Sequence, residues 1–284
     1  MTAGRVINAF TVDLEDWYQG IEILHAEWDR CEDRVAGSGR RLLELLAKRG
    51  VRATFFILGC VAERHPDLVR EVAAAGHEIG THGWSHTFVY DLEPEAFRSE
   101  IERSIALLAE LSGQAIVGHR APYFSITRRS LWALEILRQC GIRYDSSIFP
   151  ILNYRYGIED SPRWPHSLGD GGRSALTEFP ITTWRFLGRN LPVAGGAYFR
   201  ILPYALTRAA WRSINRAGHP AVFYIHPWEL DPVQPRLPLP RRISVPHYAN
   251  LHATERRIER LLSDFSFAPM GEVLGLDQGG RRSA

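Results

Sequence analysis

Cysteine is scarce. The chain of 284 residues holds three, Cys31, Cys60 and Cys140, an odd number with no Cys-x-x-Cys pair. This speaks against a disulfide framework and for free thiols in a reducing compartment. Cys60 and Cys140 have apolar neighbours and are expected to be buried. No apolar run is long enough to span a bilayer. The opening, Met1 to Arg5, shows no charged-then-apolar leader. The expectation is a cytoplasmic protein, working in solution or at the inner face of the membrane. Charge imbalance is also missing. A net charge of +2 gives no footprint for nucleic acid. There is no repeat of fixed period, and no Gly-rich phosphate turn after the first apolar stretch.

What is present is a rhythm of strand, loop and helix. Hydrophobic residues make up 45% of the chain and charged residues 23%, enough for a sizeable core. Val6–Val12, Ala53–Leu58, Ala115–Val117, Ile142–Tyr144, Leu176–Ile181 and Ala221–Ile225 read as short apolar strands. Helices are expected at about 40–48, 66–75, 92–111, 127–140, 201–217 and 254–265, several of them followed by Gly. Strands without polar alternation suggest a parallel sheet covered on both faces. The segment 154–173 reads as a long loop. The Pro-rich run 232–246 reads as non-helical, and Arg281-Arg282 as a frayed tail. The polar clusters fall just after strands, as in a (β/α) barrel whose strand ends meet on one face. The chain is read as a single catalytic barrel domain spanning 1–284.

Three carboxylates, Asp13, Glu15 and Asp16, crowd the end of the first strand. Like charges this close raise one another's pKa unless a cation sits among them. His82 and His86 lie beyond the third strand, four positions apart. One acid with two histidines is a ligand set for catalytic zinc, open at one position for water. Strand alternation puts Asp13 and Glu15 on the same side, favouring Glu15 as third ligand. Asp16 stays open if the strand ends early. One further carboxylate is then free to act as a base. Arg120 can pair with that base, and the backbone N–H of Tyr123, after Pro122, can face an oxyanion. His226 is a candidate acid, with Asp145 as its hydrogen-bond partner.

The ordered set Thr11-Val12-Asp13-Leu14-Glu15, Thr81-His82-Gly83-Trp84-Ser85-His86, Arg120-Ala121-Pro122-Tyr123, Asp145 and Ile225-His226 resembles the NodB-homology polysaccharide deacetylases, carbohydrate esterase family 4. The resemblance runs over roughly residues 1–230, leaving 231–284 as an extension packed on the barrel. Three finer stretches resemble the subgroup that accompanies bacterial exopolysaccharide and exosortase gene clusters: 13–19, 195–200 and 224–231. The usual opening has two adjacent aspartates, whereas here Leu14 takes the second place.

The resemblance implies a distorted (β/α) barrel of about seven strands, a divalent metal (most often Zn2+) and hydrolysis of N-acetyl groups from amino sugars. It makes Asp13 the base and His82 and His86 ligands, with Glu15 or Asp16 as the third. Arg120 then orients the base, Tyr123 donates to the oxyanion, and His226 is the acid tuned by Asp145. The partner is an N-acetylated glycan, with exopolysaccharide machinery as a further associate. Trp17, Tyr18, Trp84, Trp184 and Trp228 are candidates for stacking on sugar rings. A small-amide hydrolase and a non-catalytic glycan-binding barrel are the competing readings.

Overall fold

The computed structural model describes residues 6–21, 25–153, 155–168 and 175–276. Its main sheet is built on β1 (Ile7–Leu14), β2 (Thr54–Ile57), β3 (Glu78–Thr81), β4 (Gly118–His119) and β5 (Tyr144–Asp145). β6 (His166–Leu168) and β7 (Leu176–Glu178) follow. β8 (Thr183–Phe186) and β9 (Arg189–Pro192) form a separate hairpin, and β10 (Val222–Ile225) and β11 (Ser266–Ala268) complete the set. The order across the main sheet is β10-β1-β2-β3-β4-β5-β7-β6, with β11 also on β1. All pairs are parallel except β6 with β7. The curled sheet is a distorted (β/α) barrel.

β1 shows why the site lies where it does. Successive side chains point to opposite faces. Phe10, Val12 and Leu14 join the main apolar cluster, with Leu42 and Leu46 of helix 35–48, Leu68 and Val72 of helix 66–74, and Trp211 of helix 204–216. Thr11 and Asp13 alternate with them and point the other way, where both meet Arg120. The opposite end of the barrel is closed by the short helix 270–273. Its Met270 N–H donates to Thr54 Oγ1 at 2.7 Å and its Gly271 N–H to Glu78 Oε2 at 3.0 Å.

Most predicted elements fall close to their expected places. The Pro-rich run is the clearest correction, because residues 241–248 form a helix with Pro246 inside it. Pro246 sits in the final turn, so few backbone bonds are forfeited there. The helix expected at 201–217 opens after Pro203 and runs over 204–216, and a separate short helix, 196–201, precedes it and ends where Leu202 is extended before Pro203. The expected 154–173 loop contains β6, while its residues 154 and 169–173 lie outside the described residues, as do Met1–Arg5 and Arg281-Arg282. Cys60 and Cys140 are free but only half-buried. Among the described residues, no helix is long and apolar enough to cross a membrane.

Candidate metal and catalytic centre

Asp13 ends the inward row of β1, and Glu15 follows it. His82 comes just after β3, Arg120 after β4 and His226 after β10. Parallel pairing therefore brings all five to one end of the sheet.

Glu15, His82 and His86 form a buried triad whose candidate ligand atoms lie within 4.8 Å of one another. Glu15 Oε2 is 2.6 Å from His86 Nε2 and 3.9 Å from His82 Nε2. His82 Nδ1 lies 2.7 Å from the Arg120 carbonyl. A carbonyl only accepts, so Nδ1 carries the hydrogen and Nε2 keeps a free lone pair toward Glu15. Burial pushes the His82 imidazole down to about 4, so it is neutral at pH 7, as a ligand must be. Burial opposes ionisation of Glu15, yet His86, His226 and His82 hold its carboxyl well below the usual range. Glu15 Oε2 is buried, and its close contact with His86 Nε2 is not aligned as a hydrogen bond. A carboxylate oxygen facing two imidazoles fits a divalent cation. Glu15 Oε1 is taken, accepting from Trp228 Nε1 at 3.1 Å.

Asp16, the other candidate ligand, is not in this group. Its Oδ1 accepts from the Trp17 N–H at 2.7 Å, and its Oδ2 from the Arg34 and Val35 N–H groups at 2.7 and 3.0 Å. The chain turns after Glu15, and Asp16 fastens the start of helix 35–48.

Asp13 Oδ1 accepts from Arg120 Nη1 at 2.7 Å. Arg120 is fully buried, and its other donors reach Thr11 Oγ1, the Ser146 carbonyl and Ser146 Oγ. Asp13 Oδ2 is left toward His226, whose Nε2 is 3.9 Å away. His226 Nε2 is also 3.7 Å from Glu15 Oε1.

Asp145 does not support His226. It accepts from His119 Nδ1 at 2.6 Å and from Ser147 Oγ at 2.7 Å. His119 and Asp145 are register partners on the adjacent strands β4 and β5. β10 lies on the far side of β1, β2 and β3. Alternation also sends His119 and Asp145 away from Arg120 and Ser146, which face the site.

The partner of His226 is Glu229, a residue that sequence reasoning missed. Glu229 Oε1 is 2.9 Å from His226 Nδ1, and its Oε2 accepts from Arg200 Nε at 2.5 Å. Arg200 in turn donates to the carbonyls of Ala249 and Pro246 at 2.5 and 2.6 Å. The signal was available: His226-Pro-Trp-Glu229 has the spacing of a capping box, which it forms. Burial lowers the His226 pKa, but Glu15, Glu229 and Asp13 outweigh it and push the ring up to about 9.

Tyr123 sits in a short 3-10 turn, 122–124, with its backbone left-handed at φ 55°. His86 is left-handed as well, at φ 54°. Such geometry costs roughly 1 kcal/mol or more for a non-Gly residue and clusters at functional sites. The Tyr123 ring packs on His86 with centroids 4.3 Å apart, and its hydroxyl donates to the Gln19 carbonyl at 3.0 Å.

A cavity of about 330 Å³ opens above these groups, lined by Asp13, Glu15, His82, His86, Tyr123 and His226 among others. Of the five aromatic candidates, Trp228 lines it. Trp84 instead packs under the Arg103 guanidinium, 3.4 Å from its ring centroid, and Trp17 is buried with its indole N–H on the Glu32 carbonyl. Tyr18 lies in the same apolar cluster as Trp17, and Trp184 packs in the β8–β9 hairpin. Tyr156, Tyr198 and Tyr224 line the cavity without having been singled out.

The fold and site together define a (β/α) barrel with a carboxylate–dihistidine centre beside an arginine-bound carboxylate and a glutamate-bound imidazole. Residues 28–144 match the polysaccharide deacetylase family, and residues 146–275 match a domain of unknown function, DUF3473. The chain therefore carries a polysaccharide deacetylase domain followed by a DUF3473 region.

Among curated relatives, a peptidoglycan-N-acetylglucosamine deacetylase of Bacillus cereus is 36% identical over 96 residues, 34% of this chain and 35% of that protein. A chitooligosaccharide deacetylase of Rhizobium leguminosarum is 35% identical over 34% of this chain and 42% of its own length. The matches thus span less than half of these relatives. A candidate polysaccharide deacetylase from Mycobacterium smegmatis shares the fold, with a TM-score of 0.64 and 24% identity over 97% of this chain and 91% of that one.

Proposed function

We propose that the protein hydrolyses N-acetyl groups from amino sugars of a glycan. One observation carries the reading. Asp13 and His226 flank the Glu15–His82–His86 triad at the floor of a cavity, with His226 Nε2 3.9 Å from Asp13 and 3.7 Å from Glu15. A divalent ion, which we take to be zinc, would be held by Glu15, His82 and His86, and when bound supplies Lewis-acid polarisation of the acetyl carbonyl and of water.

The chain's own residues do the rest. Arg120 orients Asp13 through Oδ1. Asp13 Oδ2 takes a proton from the attacking water, whose oxygen bonds to the acetyl carbon. The Tyr123 N–H donates to the oxygen that gains charge. His226, held by Glu229, gives its Nε2 proton to the departing nitrogen as the C–N bond breaks. The products are acetate and a free amine. The resemblance of the 13–19, 195–200 and 224–231 stretches supports a bacterial exopolysaccharide, or its lipid-linked precursor, as the glycan.

The test is acetate release from a panel of N-acetylated glycans and one small cyclic amide, using metal-free protein with and without zinc. Zinc-dependent release from a glycan is expected. Release from the amide alone would replace the reading with a small-amide hydrolase. Glycan binding with no release would leave a non-catalytic binding barrel.

A further inference from the structure

The charge lining the cavity is uneven. Among the described residues, Asp13 and Glu15 are the only carboxylates lining it, both at the floor. The walls carry Arg155, Arg200 and Arg242. Arg200 is committed to Glu229. Arg155 stands over the Tyr123 ring, its guanidinium carbon 5.1 Å from the centroid, so it faces the same space as the Tyr123–His86 stack. Arg242 comes from the other rim, the first turn of helix 241–248. It is exposed and makes no ion pair among the described residues.

The sequence on the side of Arg200 and Arg242 has the same bias. No Asp or Glu occurs between Glu178 and Glu229, or between Asp231 and Glu255. The second interval supplies Arg236, Arg241 and Arg242. A merely solvated rim would mix both signs. One sign alone, set around a concave opening, focuses potential onto a charged ligand.

We infer that the substrate carries an anionic group, a sugar carboxylate or a phosphate, bound between Arg155 and Arg242 at the cavity mouth while the N-acetyl group reaches the floor. This rests on the deacetylase reading for the sugar but not for the charge. Guanidinium groups suit either anion through paired, charge-assisted hydrogen bonds.

Calorimetric titration tests it on the zinc-loaded full chain, with three probes that all contain N-acetylglucosamine. These are neutral chitotriose, a hyaluronan tetrasaccharide carrying uronic acids, and UDP-N-acetylglucosamine carrying a diphosphate. At least one anionic probe is expected to bind about tenfold more tightly than chitotriose, the scale of one charge-assisted contact. That advantage should shrink in high salt, vanish in Arg242→Ala and partly return in Arg242→Lys. The preferred anionic probe tells carboxylate from phosphate.

Equal binding of all three probes overturns the inference, as does equal weakening of all three by Arg242→Ala or failure of both anionic probes to bind. Acetate measured in the same samples separates the two claims. Anion-selective binding without release removes the deacetylase reading alone, and release from chitotriose with no anionic preference removes this one alone.

Discussion

At the scale of single residues, the site divides labour between two carboxylates two positions apart. Asp13 is bound by a guanidinium, and Glu15 by an indole and two imidazoles. Asp13→Asn keeps the volume and the triad but cannot take a proton. Acetate release should fall roughly hundredfold or more, with metal content unchanged by elemental analysis. His82→Ala should leave the protein metal-free at neutral pH, and full occupancy in that variant would sink the ligand assignment. Glu229→Gln should lower turnover roughly tenfold or more by releasing His226 from its orienting partner. Asp145→Asn should instead act on stability, since Asp145 touches His119 and Ser147. If Asp145→Asn were the more damaging to turnover at matched folded fraction, the pairing of His226 with Glu229 would be wrong as its functional support.

These residues also mark what a sequence can and cannot disclose. Asp13, Glu15, His82, Arg120 and His226 each follow an apolar run, so their common face was readable from strand ends. The third member of the candidate triad, Glu15, needed only alternation carried on from β1. The partner of His226 needed register, because Asp145 is committed to β4 by pairing that no local pattern encodes. Asp16 resembled a ligand by position. Its three backbone donors, two of them from the start of a helix many residues later, decide otherwise.

At the scale of elements, the segments that hold the site are short and depend on close approach. Gly195 bridges to Tyr224 of β10, and a Cβ built there would lie 1.9 Å from the Tyr224 carbonyl oxygen. That contact seats helix 196–201, and with it Arg200 against Glu229. The Pro-rich run was misread for a physical reason. Proline forbids a helix interior but tolerates a short helix's last turn, and Pro246 there supplies a carbonyl to Arg200.

β3 carries a pH-sensitive joint just before it. His77 Nδ1 accepts the Ala53 N–H at 3.0 Å, and burial holds its pKa down to about 4. Between about pH 6.5 and 4 the unfolded chain binds the extra proton, so stability falls as pH falls through that window. The loss should be about 2 kcal/mol by pH 5. Urea unfolding of the wild type against His77→Gln checks it, and parallel pH curves for the two proteins would refute the assignment.

At the scale of the molecule, the C-terminal segment is part of the sheet that carries the site. β11 pairs with β1, helix 254–264 joins the main apolar cluster, and helix 270–273 closes the barrel end. A chain cut after Asp231 should therefore lose cooperative unfolding by circular dichroism rather than survive as a smaller deacetylase. Zinc binding should raise the melting temperature of the full chain, by about 2.7 kcal/mol of added stability at a hundredfold excess over Kd. His82→Ala should show no such gain.

The indole of Trp228 lies between two imidazoles, stacked at 5.1 Å on His226 and 4.2 Å on His247, with its N–H on Glu15. A fluorophore hydrogen-bonded to a candidate metal ligand is an optical gauge of that group's charge. Titrating the metal-free protein with cobalt should quench a share of the tryptophan emission that Trp228→Phe removes. Occupancy of the centre could then be followed by light in real time, with no substrate present.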